Sequence, residues 1–308
     1  MKFGTPGITI DDATKAKLGD NVVATVDIVS ADEGKFMSTL TVDGENVTRL
    51  DDKGSIMFSL PVSQADGPAG ASFDPYCILV TFTDESGNKV VIKEMYYDQT
   101  TGILNFRTNI VGPFTVSIAH KQFPDMIGHW AERIVETLAS KGIIAGVDST
   151  SFEPERDVTR AEYTRMLMSA FELSLPDFAP AIAINYSDVP AGEWYYSTIE
   201  RAQGLNFISG YPEDGTFKPD NPISRQEMAE MTSRFIDSLG LNYNKTAVPA
   251  VTYTDADMIA DWAADAISSI QQMGIFNGMG DGSFAPQKNT TRAEAASVLL
   301  GMIKLLFK

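Results

Sequence analysis

The chain is short of several things at once, and each shortage removes a class of function. It has one cysteine, Cys77, in 308 residues, so no disulfide can form within it. Basic residues are scarce: 24 Lys+Arg face 41 Asp+Glu, a formal charge of −17. That balance excludes general attraction to nucleic acid or to an anionic membrane, so any anion site has to be local, built from a few arginines. The two histidines, His120 and His129, have no Cys, Asp or Glu partners at metal-ligand spacing. No apolar run approaches the ~18–20 residues of a membrane span. The first seven residues lack the apolar stretch and cleavage site of an export signal. The expectation is a chain that is either soluble and intracellular, or a fragment of a secreted protein whose signal was removed. No G-x-S-x-G, Walker loop, dinucleotide fingerprint or zinc motif occurs, and nothing points to paired carboxylates for glycoside hydrolysis. Catalytic residues, metal ligands and cofactors are all expected to be absent, and the chain is not expected to be an enzyme.

What is there is enough apolar residue, 44%, for two or more domains with cores. Residues 1–119 predict an antiparallel β-sandwich-like module. Short β-branched and aromatic runs span 22–29, 36–42, 55–60, 77–82, 89–94, 103–106 and 114–118. Asp43-Gly44, Asp52-Lys53-Gly54, Ser86-Gly87-Asn88 and Thr101-Gly102 mark turns between them, and residues 64–75 read as a loop.

From His120 the period changes from two to 3.6, and the chain repeats itself. Val158-Thr159-Arg160-Ala161-Glu162-Tyr163 returns as Ile223-Ser224-Arg225-Gln226-Glu227-Met228 and as Thr290-Thr291-Arg292-Ala293-Glu294-Ala295. An F-x-P turn precedes each, and a tryptophan (Trp130, Trp194, Trp262) lies about 30 residues upstream. Apolar residues such as Tyr163, Met166, Leu167, Ala170 and Phe171 then recur at helical spacing. Twelve residues after each tryptophan come Gly142, Asn206 and Gly274, which tolerate the left-handed backbone that closes a helix. Sixteen after come Gly146, Gly210 and Gly278. The expected copies are 120–183, 184–250 and 251–308, with residues 174–185 and 241–251 as connectors. The whole region is expected to be all-α, packed around one pseudo-threefold axis.

Thr159…Glu162, Ser224…Glu227 and Thr291…Glu294 each fit a capping box, which accounts for the hydroxyl and the glutamate. It does not account for Arg160, Arg225 and Arg292. At the first helical position the helix dipole disfavours a cation by about 0.3–1 kcal/mol. Two uses stay open for them: a salt bridge to a neighbouring copy's acid, or bidentate capture of an anionic ligand. Asp125, Asp188 and Asp255, just ahead of the tryptophans, fit helix N-caps. The tryptophans fit either a core or a sugar-binding surface. Asp214-Gly215-Thr216 and Asp281-Gly282-Ser283 lack the oxygen ligands of a calcium loop and read as turns.

Residues 121–308 closely resemble a tandem of three S-layer homology modules. The likeness is carried by Phe123-Pro124-Asp125…Gly128-His129-Trp130-Ala131, by Ser209-Gly210-Tyr211…Asp214-Gly215-Thr216-Phe217-Lys218-Pro219, and by the T-R-A-E-type motifs. The resemblance implies a pseudo-threefold trimer of repeats that binds an anionic, pyruvylated secondary cell-wall polysaccharide in inter-repeat grooves. It implies a protein outside the cell, in the wall or S-layer of a Gram-positive-type bacterium, with no membrane insertion. The carbohydrate-binding residues it implies are Arg160, Arg225 and Arg292; Asp125, Asp188 and Asp255; Trp130, Trp194 and Trp262; Gly146, Gly210 and Gly278; and Tyr211. Copy one has Val147-Asp148-Ser149-Thr150-Ser151-Phe152 in place of the Asp-Gly-Thr turn, so its loop is expected to contribute less, and three equal grooves are not expected. Tyr96-Tyr97-Asp98…Phe106…Phe114 resembles a β-module often found before such repeats, although Ile110-Val111-Gly112 departs from its pattern. The alternatives to a wall anchor are an accessory region of a secreted glycoside hydrolase and a lattice protein that self-associates through the β-module.

Overall fold

A computed structural model describes residues 2–31, 33–50, 54–63, 73–84, 86–175, 184–240 and 252–307. The expected turn at 52–53, most of the 64–75 loop and most of both connectors lie outside these. The described chain forms two compact units. One comprises Met1–Phe123, Glu132–Ala145 and Phe307–Lys308, the other Pro124–Ala131 and Gly146–Leu306.

The first unit has two antiparallel sheets. One contains β1 (Lys2–Phe3), β2 (Gly7–Ile10), β6 (Ile56–Ser63), β9 (Met95–Asp98) and β10 (Ile103–Thr108), ordered β1-β6-β10-β9 with β2 also on β6. The other contains β3 (Val22–Ser30), β4 (Lys35–Val42), β5 (Glu45–Asn46), β7 (Ile78–Thr83), β8 (Lys89–Val91) and β11 (Pro113–Ile118), ordered β3-β4-β11-β7-β8 with β5 on β4. Alternation along the strands sends one face of each sheet into a shared core. Phe58 and Phe106, cross-strand partners, stack at 4.8 Å, and Phe114 of the other sheet closes on both at 5.5 and 5.6 Å. Helix α1 (Asp12–Leu18) starts where Asp11 accepts from the amide of Thr14 at 2.7 Å. Helix α2 (Glu132–Ser140), the first helix of copy one, also belongs to this unit.

The second unit carries α3 (Arg160–Ala170), α4 (Tyr196–Gly204), α5 (Arg225–Ser238), α6 (Asp261–Gln272) and α7 (Arg292–Leu305). α3 packs on α4 and meets α7, while α5 packs on α6. Left-handed residues end the upstream helices as expected: Gly142 at φ 67°, Asn206 at 60° and Gly274 at 70°. Among the described residues no helix is long and apolar enough to cross a membrane.

The expected all-α pseudo-threefold trimer needs correction, because the region is not all-α. The residues ahead of the capped helices are extended and bridge one another: Asp157 with Thr291, Thr159 with Pro222, and Ser224 with Asn289. Their backbone bonds form a closed ring. Val158 donates to Thr290, Thr290 to Ile223 and Ile223 to Val158, at 2.9, 2.9 and 3.0 Å. The cause is burial. Val158, Ile223 and Thr290 have no exposed surface, so their amides and carbonyls need partners, and an extended N-cap leaves the neighbouring copy as the source.

Candidate functional site

Each motif arginine is the first residue of its helix, behind a capping box in which both reciprocal bonds are made. All three arginines are buried, and their side chains leave their own copy. Nε of Arg160 donates to the Phe217 carbonyl at 2.8 Å, Nη2 to the Ser209 carbonyl at 2.9 Å and Nη1 to Glu227 at 3.1 Å. Arg225 repeats the pattern one copy on, with Phe284, Asn277 and Glu294 at 2.7, 2.9 and 3.1 Å. Arg292 closes the cycle, donating to the Phe152 carbonyl at 2.8 Å with Glu162 at 3.7 Å. Of the two uses left open by sequence, the salt bridge to a neighbouring copy's acid is therefore made. The acid is the capping-box glutamate itself, so one carboxylate starts its own helix and neutralises the adjacent arginine.

None of Asp125, Asp188 and Asp255 caps an α-helix as expected. Asp125 lies inside a short 3₁₀ turn, and Asp255 precedes another without a side-chain cap bond. Each carboxylate instead accepts two consecutive amides of its copy's F-x-P loop. The donors are Phe152 and Glu153 at 3.0 and 2.7 Å, Phe217 and Lys218 at 2.8 and 2.7 Å, and Phe284 and Ala285 at 2.8 and 2.8 Å. The second donor in each pair has a left-handed backbone, φ 57°, 56° and 55°, which non-glycine residues rarely adopt without such support. Gly210 and Gly278 allow a close approach: a Cβ on either would lie 2.5 Å from a loop carbonyl, that of Thr216 or Ser283. Gly146 precedes the matching bond in copy one, from the amide of Val147 to the carbonyl of Ser151 at 2.9 Å.

The tryptophans are not core residues. Trp130, Trp194 and Trp262 are 59%, 48% and 53% exposed in a chain whose other large aromatics are mostly buried. Trp130 lines a pocket of about 460 Å³ together with Arg225, Asn277, Gly278, Met279, Lys288 and Glu294. All three copies thus contribute: the tryptophan from the first, the arginine from the second, the loop and second base from the third. At the next junction Arg165 of copy one lies 5.4 Å over Trp194 of copy two.

The S-layer homology domain family matches residues 122–164, 185–229 and 252–296, the same three segments. The chain carries three tandem S-layer homology domains. Such domains place the proteins that carry them at the cell surface, attached to the wall. The chain is 29% identical over 295 residues to an amylopullulanase of Thermoanaerobacterium thermosulfurigenes, covering 94% of this chain and 15% of that protein. It is 29% identical over 192 residues to the S-layer protein sap of Bacillus anthracis, 62% of this chain and 22% of the relative. It is 29% identical over 156 residues to a cellulosome-anchoring protein of Acetivibrio thermocellus, 51% of this chain and 34% of the relative. The chain thus spans between 15% and 34% of the length of these relatives, and the first match has to include the β-sheet unit as well as the S-layer homology domains.

The three junctions differ in what covers the arginine–glutamate pair. At Arg160 the Tyr211 hydroxyl also bonds Glu227, and Lys218 sits 3.9 Å over the Tyr211 ring. Burial, with that bond to the glutamate, pushes the Tyr211 hydroxyl up to about 12. At Arg225 the tyrosine's place is taken by Met279, which is partly exposed, and the pocket opens there. In copy one the place belongs to Val147. Its loop still turns as the others do, because Asp148 accepts from the amides of Thr150 and Ser151 as Asp214 and Asp281 accept from Thr216 and Ser283.

Burial works to raise the pKa of Glu227, but hydrogen bonds from Tyr211 and Ser224 and the charge of Arg160 hold it below the usual carboxylate range. Burial also opposes ionisation of Glu162, and Arg156, the Thr159 amide and Arg292 outweigh it. Sequence reasoning passed over the second base at two junctions, four residues before the motif arginine. Arg156 bonds Glu162 at 2.6 Å, and Lys288 lies 3.7 Å from Glu294. The equivalent position in copy two is Asn221, so the signal was present in the alignment of the copies but incomplete.

Proposed function

We propose that this chain holds its parent protein on the cell wall by binding an anionic secondary cell-wall polysaccharide, one carrying pyruvate ketals, in the clefts between S-layer homology domains. The carrying observation is the pocket at Arg225. An exposed indole offers an apolar face for a sugar ring, and two cations beside it offer partners for a carboxylate. Arg225 commits three of its five N–H donors to copy three, which leaves two for a ligand, and Lys288, half-exposed and only 3.7 Å from Glu294, can turn to share one. The volume suits a small-ligand site. Arg160, Arg292, Trp194 and Trp262 would serve the two related clefts. The three aspartates and Gly210 and Gly278 would act on the ligand indirectly, by holding the loops. The protein would be extracellular, and this region would bind rather than catalyse: Glu162, Glu227 and Glu294 are already held by arginines and cap amides.

The test is sedimentation with purified cell walls that carry the polymer. Wild-type chain should pellet with the walls, and a Trp130→Ala/Lys288→Ala variant should pellet markedly less. Equal pelleting of both, or none of either, would sink the assignment of that pocket.

The amylopullulanase match across 94% of the chain favours a compatible second reading, in which the anchored parent is a glycoside hydrolase and the β-sheet unit is an accessory module. A reading frame for a catalytic domain in the same gene would support it. A parent without one would count against it.

A further inference from the structure

We propose that Asp74, Cys77, His120 and Glu136 in the first unit form a binding site for a zinc-like divalent cation. Local spacing gives His120 no metal partners, because the four residues come from three separate segments. Asp74 and Cys77 flank the turn that enters β7, His120 follows β11, and Glu136 lies on α2. Folding brings one ligand atom from each to within 4.8 Å of the others. No other residue set of this kind is found among the described residues.

The donor set is chemically selective. One thiol, one imidazole and two carboxylates are the ligands that a borderline, four-coordinate ion such as Zn²⁺ takes, whereas calcium and magnesium favour all-oxygen shells. Cys77 is fully buried and Glu136 nearly so, while His120 is about half exposed, which gives a rigid floor and an open side for entry. Tetrahedral bonds of about 2.0–2.3 Å need donors roughly 3.3–3.8 Å apart, so a contraction of about 1 Å at the widest separation suffices.

The present contacts show what a cation would replace. Glu136 accepts from His120 Nδ1 at 2.9 Å, from Gln122 at 3.1 Å and from Arg133 at 2.8 Å, and Arg133 also reaches Asp74 at 3.1 Å. Two carboxylates this close, one of them buried, require positive charge between them. Arg133 supplies it from a side chain that is 52% exposed and stacked 5.5 Å over Tyr76, so it can withdraw to solvent at little cost. Binding replaces the Cys77 S–H bond by a metal–sulfur bond and releases that proton to solvent. No electron transfer is involved.

The experiment is a Co²⁺ titration of the intact, metal-free chain, followed by absorbance and by competition with Zn²⁺. The expected result is a thiolate-to-cobalt charge-transfer band and tetrahedral d–d bands saturating at one equivalent, displaced by Zn²⁺. Cys77→Ser should abolish the charge-transfer band. His120→Ala, at a half-exposed position that should leave the fold intact, should weaken binding at least tenfold. A titration without a charge-transfer band, or unchanged affinity in both variants, would overturn the site. The second result would assign any retained cobalt to the acidic surface.

Discussion

Arg160, the first residue of α3, donates through Nε to the carbonyl oxygen of Phe217 at 2.8 Å, 57 positions further along the chain. Arg225 and Phe284 stand in the same relation, and so do Arg292 and Phe152. The arginine that opposes its own helix dipole is thus a bolt into the next copy, and the last copy bolts back into the first. A ligand role for these residues has to coexist with that structural one.

Arg225→Ala should therefore destabilise the second unit before any effect on binding is visible. It leaves Glu294 and two carbonyls without their buried partner, a loss of about 3–5 kcal/mol. Urea denaturation followed by the near-ultraviolet signal checks this. A loss under about 1 kcal/mol would mean that the ring is not held through these contacts.

Trp130→Ala should do the reverse. The ring is 59% exposed, so stability should change by less than about 0.5 kcal/mol. Affinity for the wall polymer should fall about tenfold, roughly 1.4 kcal/mol. Denaturation and calorimetric titration on the same sample separate the two effects.

Asp188→Ala removes both acceptors of the Phe217 and Lys218 amides and should cost about 1–3 kcal/mol. Lys218→Gly, at φ 56°, should be neutral or stabilising by up to about 1 kcal/mol, because glycine adopts that backbone without strain. Equal losses in both variants would contradict the clamp described for Asp188.

Acid should open the second unit. Glu162 and Glu227 have folded pKa values below their unfolded ones, so the stability they contribute is complete above about pH 4.3 and is lost as pH falls through the folded values. Denaturation midpoints should fall steeply below pH 4.3, and Glu227→Gln should flatten that slope while lowering stability at neutral pH. A slope unchanged by the substitution would assign acid sensitivity to other carboxylates.

Local features were legible in the sequence and distant ones were not. The capping boxes at Thr159, Ser224 and Thr291 depend on residues three apart, and the left-handed stops at Gly142, Asn206 and Gly274 depend on one residue each. The runs at 36–42 and 114–118 alternate clearly and coincide with strands. Strand β2 is only four residues long, and α1 hides between two strands, marked by little more than the Asp11 cap. The aspartate clamps span 27–30 residues, the bonds of Arg160 and Arg225 span 49–69, and that of Arg292 to Phe152 spans 140, so repetition showed that these positions were shared without showing what they touch. The all-α expectation failed for a related reason. Helical periodicity says nothing about the buried extended residues between helices, whose backbone groups had to find one another. His120 and Cys77 lie 43 positions apart, and local spacing could not join them.

The most direct measurement is retention of the intact chain on isolated wall polysaccharide before and after mild acid removes its ketal-linked pyruvate. Binding to the untreated polymer, lost after treatment and restored by neither salt nor higher protein concentration, is the expected result. Equal binding to both forms would contradict a carboxylate partner for Arg225 and Lys288.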